Sequence, residues 1–140
     1  MYYLKTSASF DSAHFLYGYN GKCANIHGHH WVVEVKIKSN ELQKSGEKSG
    51  MLIDFGDMKK TVRELADDFD HALIYEKNTL KPETVQALNS ENFCLIEVNF
   101  RPTAENFARY FYEILFAQGL EIKSVTVYET PDNCAVYEVE

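Results

Sequence analysis

The sequence has no cluster of Lys or Arg, no long apolar run, and only three cysteines, Cys23, Cys94 and Cys134. Each shortage removes a class of function. Basic residues number 14 against 21 acidic ones, for a net charge of −7, so a nucleic-acid or anionic-membrane surface is not expected. No stretch approaches the ~20 apolar residues of a membrane span. Three widely spaced cysteines cannot frame a disulfide scaffold. The first residues, Met1-Tyr2-Tyr3-Leu4-Lys5-Thr6, lack the apolar centre of a signal peptide, and a reduced, cytoplasmic protein is expected. No Gly-rich nucleotide loop, internal repeat or linker is present, so residues 1–140 are expected to form one domain.

What is present is a globular composition, 45 % apolar and 14 % aromatic with nine Tyr and nine Phe. A chain of this length buries roughly 68–70 % of its unfolded surface, enough for a true core. Patterning predicts strands over Tyr3–His14 and His29–Ser39, a polar connection over Ser39–Gly50, and a short strand at Met51-Leu52-Ile53. A helix follows, capped by Asp54 or Asp57, with Met58, Val62, Leu65 and Phe69 at helical spacing. Pro82 opens a short helical turn to Leu88. Phe93–Val98 reads as a strand. Thr103 caps a second long helix with Phe107, Tyr110, Phe111, Ile114 and Leu115 on one stripe. Ile122–Glu129 and Ala135–Val139 close the chain as strands. Hairpins without regular strand–helix alternation point to α+β, an antiparallel sheet with helices on one face.

The chemistry-bearing residues start with His27-Gly28-His29. On an extended backbone, residues two apart share a face, and Gly28 lets the chain approach closely. His14 ends the first strand, which can pair with the second and add a third imidazole. Three protein ligands with one position open is the catalytic zinc pattern, although imidazole also suits Cu, Fe and Ni. The plain alternative is a chance pair on a solvated strand. His30 faces away from His29. Cys23, four residues before His27, would be a reactive thiolate beside a cation, or simply a small buried hydrophobe. Cys94, in an apolar strand, reads as core. Asp70-His71 is either a carboxylate orienting an imidazole or a helix-end arrangement. Glu129, at a strand end, would accept two parallel hydrogen bonds from a heterocycle, or lie in water.

Together the motifs resemble the 6-pyruvoyltetrahydropterin synthase / 6-carboxytetrahydropterin synthase family. They are Phe10-Asp11-Ser12-Ala13-His14, Cys23-Ala24-Asn25-Ile26-His27-Gly28-His29, Met51-Leu52-Ile53-Asp54-Phe55, Phe69-Asp70-His71, Pro102-Thr103-Ala104-Glu105-Asn106 and Val127-Tyr128-Glu129-Thr130. The resemblance implies the T-fold, a four-stranded antiparallel sheet with two helices on one face, closed into an oligomeric barrel, typically a hexamer with active sites between subunits. It implies zinc on His14, His27 and His29, Cys23 as general base, Asp70 with His71 as proton relay, and Glu129 as pterin anchor with a share in the relay. The Cys-x-x-x-His-Gly-His spacing is similar to that of bacterial members of the queuosine route. Those members convert 7,8-dihydroneopterin triphosphate to 6-carboxytetrahydropterin, acetaldehyde and triphosphate. The alternatives are elimination of triphosphate with the side chain kept, and a non-catalytic zinc-stabilised pterin-binding domain. One departure is the long stretch from His71 to Pro102, whose apolar run Phe93–Val98 is expected to extend the sheet.

Overall fold

A computed structural model describes residues 1–140. Two thirteen-residue strands, β1 (Tyr2–His14) and β2 (His27–Ser39), form a long antiparallel hairpin in continuous register from Tyr2 opposite Ser39 to His14 opposite His27. Their inward residues alternate with outward ones, Phe10, Trp31, Val33, Val35 and Ile37 being buried. Helix α1 (Phe55–Asp67) follows, then β3 (Ala72–Glu76), α2 (Pro82–Ser90), β4 (Leu95–Val98), α3 (Ala104–Ala117), β5 (Ile122–Thr130) and β6 (Asn133–Tyr137).

Local chemistry fixes where the helices start. The Asp54 carboxylate accepts from the backbone N–H groups of Gly56 (2.7 Å) and Asp57 (3.3 Å). A Cβ on Gly56 would come within 2.8 Å of that carboxylate, so a larger residue there would push the Asp54 side chain out of this capping position. Thr103 Oγ1 accepts from Asn106 N at 3.2 Å and starts α3. Met58, Val62 and Leu65 from α1, and Phe107, Phe111 and Leu115 from α3, are buried in one core with the inward face of β1, β2 and β5. Phe69, which the pattern assigns to the first helix, lies just beyond its end and still joins this core.

The sheet differs from the expected four antiparallel strands. It has six, in the order β4-β3-β1-β2-β5-β6. Only the β1, β2, β5 and β6 half is antiparallel; β3 runs parallel to β1, and β4 parallel to β3. Parallel neighbours need a crossover between them, and α2 is that crossover, so there are three helices rather than two. The Phe93–Val98 run does extend the sheet, at its edge, with the strand itself beginning at Leu95. Met51-Leu52-Ile53 is not a strand. Its backbone groups are turned inward on the preceding loop, with Met51 O accepting from Gln43 N and Met51 N donating to Lys48 O, so no ladder forms.

Candidate metal and pterin site

The hairpin register builds the site. His14 and His27 sit directly opposite one another, and His29 is opposite Ser12. Directly opposed side chains on one sheet face stand about 5 Å apart, so three imidazoles converge at the end of the hairpin where the loop joins its strands. Their ring centroids are 4.5 Å (His14–His27), 5.2 Å (His14–His29) and 4.9 Å (His27–His29) apart. Glu129 arrives from β5, and one donor atom from each of the four residues lies within 4.8 Å of the others.

The hydrogen bonds behind the cluster set its electronic form. His14 Nδ1 lies 2.7 Å from the Pro102 carbonyl, and His27 Nδ1 lies 2.6 Å from the Asn25 carbonyl. A carbonyl only accepts, so both Nδ1 atoms carry the proton. In the neutral rings both Nε2 atoms are then bare lone pairs, and they face each other at 3.0 Å. Two lone pairs at that distance repel unless a cation lies between them. His14 is 1 % exposed, and its pKa is pushed down to about 4. Burial is the main cause, helped by repulsion from His27 and His29 and opposed by the Pro102 carbonyl. Burial also lowers the His29 pKa, against the raising influence of Glu129. His29 Nε2 lies 3.1 Å from Glu129 Oε1 but lacks hydrogen-bond alignment, which leaves this buried nitrogen without a partner. Neutral imidazoles locked by carbonyls on the far nitrogen are the form in which histidine binds a metal. The donor set therefore fits a divalent cation of the zinc type.

Two cavities border this cluster and meet at Gly28, His29 and His30. One, of about 550 Å³, includes Glu129, Tyr128 and Thr130. The other, of about 700 Å³, includes His71, Asp11, Phe93 and Cys94. His71 lines the second, and its Nδ1 lies 2.8 Å from Asp70 Oδ2 behind it. The second Asp70 oxygen accepts from Asp11 N at 2.8 Å, and His71 N donates to Asp11 O at 2.6 Å. These bonds hold the Asp70 carboxyl below its ordinary pKa, the Asp11 amide contributing most and the His71 side chain next. His71 takes a left-handed backbone (φ 56°), which turns the chain from α1 into β3 while the ring stays exposed.

Of the residues singled out from sequence, the structure brings His14, His27, His29 and Glu129 into one group and joins Asp70 to His71. Cys23 is half-buried in a short 3₁₀ turn, Lys22–Ala24, and lines neither cavity. His30 does face away, onto Asp11 at 2.7 Å. Cys94 is not core: it is exposed just before β4 and lines the His71 cavity, because the strand lies at the sheet edge. Sequence reasoning missed Asp11, which links His30 to the Asp70–His71 turn. Its outward phase on β1, opposite His30, was the available signal.

Fold and site thus define an α+β protein whose curled mixed sheet carries a three-histidine, one-carboxylate centre. Residues 3–140 match the family model of 6-pyruvoyl tetrahydropterin synthase. A 6-carboxy-5,6,7,8-tetrahydropterin synthase of Haemophilus influenzae is 40 % identical over 144 residues, covering 99 % of both chains. One of Rickettsia felis is 34 % identical over 133 residues, covering 91 % of this chain and 92 % of its own. Among solved structures, an uncharacterized protein of Wolinella succinogenes superposes with a TM-score of 0.80 at 22 % identity, over 99 % of this chain and 98 % of that one. The 6-pyruvoyl tetrahydropterin synthase of Caenorhabditis elegans superposes at 0.69 and 25 % identity, over 99 % and 96 %. The chain belongs to the 6-pyruvoyl tetrahydropterin synthase family.

Proposed function

We propose that this chain is a 6-carboxy-5,6,7,8-tetrahydropterin synthase, a zinc-dependent lyase acting on 7,8-dihydroneopterin triphosphate in queuosine biosynthesis. The observation that carries the proposal is the facing pair of imidazole lone pairs at 3.0 Å, grouped with His29 and Glu129, where His29 borders a cavity lined by Glu129 and another lined by His71. The names of the relatives and the three-residue spacer between Cys23 and His27 favour the 6-carboxy product over the 6-pyruvoyl one.

His14, His27 and His29 would hold the zinc, which when bound makes the substrate's side-chain hydroxyls more acidic. Glu129 accepts an N–H and the exocyclic amino group of the pterin ring and orients it. Cys23 removes a carbon-bound proton as the general base. His71, with Nδ1 tied to Asp70, has Nε2 free to return that proton. The domain takes in residues 1–140 and works in the cytoplasm. We further propose a homohexamer, since β4 and β6 are open sheet edges that ring closure would cover. A stable monomer in light scattering at micromolar concentration would overturn that assembly.

Incubation with 7,8-dihydroneopterin triphosphate and identification of the products tests the activity. Acetaldehyde and a 6-carboxy pterin are expected. A pterin that keeps three side-chain carbons would assign 6-pyruvoyl chemistry instead, and no turnover with zinc bound would leave only a pterin-binding domain.

A further inference from the structure

The crossover helix α2 adds nothing to the core: none of its residues is buried, and its N-terminus has no side-chain cap. The chain enters and leaves it through two left-handed asparagines, Asn78 (φ 68°) and Asn92 (φ 67°). Its evident product is a wall. Leu88 from α2, with Phe93 and Leu95 beyond it, lines the same cavity of about 700 Å³ as His29 and His71. Phe93 is 59 % exposed and Ile26, which also lines this cavity, 60 %. Large apolar side chains left open around a cavity mark a place where something apolar is held. No Lys or Arg lines the cavity, so it does not suit a triphosphate. It does suit an uncharged fragment of a ligand whose ring lies in the adjoining Glu129 cavity.

We propose that Phe93, with Leu88, positions the uncharged end of the pterin side chain beside His71, and so decides whether that side chain is cleaved. This rests on the reaction proposed above. Loss of triphosphate leaves a three-carbon diketone on the reduced ring. Cleavage adds one water across the bond between the two carbonyl carbons. The hydroxyl joins the carbon attached to the ring, giving the carboxylic acid. The hydrogen joins the departing acyl carbon, giving acetaldehyde. Electrons balance within the substrate and water, so no outside oxidant or reductant enters. The departing two-carbon end is the apolar fragment, and it must be held still while water reaches its neighbour. Phe93 touches no reacting bond in this scheme; it is a positioning residue.

The test measures triphosphate and acetaldehyde in the same reaction for the zinc-loaded protein and for Phe93→Ala, Phe93→Leu and Leu88→Ala. These side chains lie outside the core, so the variants fold. The unaltered protein should release the two products in equal amounts. In Phe93→Ala acetaldehyde per triphosphate should fall about tenfold, as expected for a fragment no longer held in place, with triphosphate release within about threefold of normal. The uncleaved 6-pyruvoyl pterin makes up the difference. Phe93→Leu should restore most of the ratio, and Leu88→Ala should lower it less. An unchanged ratio in Phe93→Ala, or a parallel loss of both products, overturns the positioning role alone. Triphosphate without acetaldehyde from the unaltered protein overturns the product assignment and the role of the wall with it.

Discussion

Acid should destabilise the metal-free protein through His14, by an amount that follows from its burial. The His14 pKa is about 4 in the fold, against 6.5 for an ordinary imidazole. Below pH 6.5 the unfolded chain takes up a proton that the folded protein refuses until about pH 4. The unfolded state then binds more protons, so stability falls as pH falls across this window. At about 1.4 kcal/mol per pH unit, the loss from this residue is about 2 kcal/mol at pH 5 and levels off near 3 kcal/mol below pH 4. Denaturant midpoints of the chelator-treated protein from pH 7.5 to pH 4.5 would measure it. Carboxylates also titrate there, so the comparison is with His14→Gln, which can still donate to Pro102 O but cannot take up the proton. The variant should be less stable at pH 7.5 and lose less on acidification. Equal pH slopes for the two proteins would refute an interior, neutral His14.

His27→Ala and His29→Ala should each lose most of the bound zinc, as measured by metal analysis after dialysis; full retention in both would remove the metal assignment. Cys23→Ala should bind pterin normally and lose turnover by roughly 10²–10⁴-fold, since a general base acts in the transition state; wild-type turnover would exclude Cys23 as that base. Glu129→Gln should keep its zinc but bind a pterin analogue at least tenfold more weakly, because a charge-assisted hydrogen bond contributes about 1.5–3 kcal/mol. Loss of zinc in that variant would instead make Glu129 the fourth ligand, a role its distance of 3.1 Å from His29 Nε2 permits.

Period-two patterning was enough to find β1, β2, β5 and β6, and helical spacing with Asp54 and Thr103 found α1 and α3. The reading of a helical turn from Pro82 and a strand in Phe93–Val98 also holds in α2 and β4; what escaped is β3 and the parallel pairing it makes with β1 and β4. Ala72–Glu76 is five residues long, follows directly on the α1 turn, and pairs with β1 through only two residue positions, so it leaves no alternation to read. Parallel pairing is a property of distant segments, and nothing local in either strand encodes it. The histidines were legible because their spacing on paired strands is itself a geometry. The approach of Glu129 to His29 was not, because it depends on how β5 lies against β2. Cys94 was misread for a related reason: an apolar sequence at a sheet edge resembles one at the centre.

The same register that sets the core also sets the three-histidine cluster proposed to hold the metal, and this gives a final test. His27, His29 and Trp31 share one phase of β2 with Val33, Val35 and Ile37, as His14 shares one with Phe10 and Ser12 on β1. A slip of one residue would turn the imidazoles and the core outward together, so burial of the apolar face enforces the site's geometry. Trp31 joins the two. It is fully buried, meets the rings of His14 and His29 edge-on at 4.9 and 5.4 Å, stacks with Phe10 at 6.0 Å, and donates Nε1–H to Ser12 O at 3.2 Å. Trp31→Phe keeps an aromatic ring but drops that donor and leaves a gap behind two ligand imidazoles. Zinc affinity should fall by about 10–100-fold, the usual cost of disturbing what supports a metal's ligands. Stability should fall by about 1–3 kcal/mol from the gap and the lost hydrogen bond. Competition with a zinc chelator gives the first quantity and denaturant unfolding of the metal-free protein the second. If stability falls as expected while zinc affinity is unchanged, the histidines hold their positions without Trp31, and the core does not brace the site.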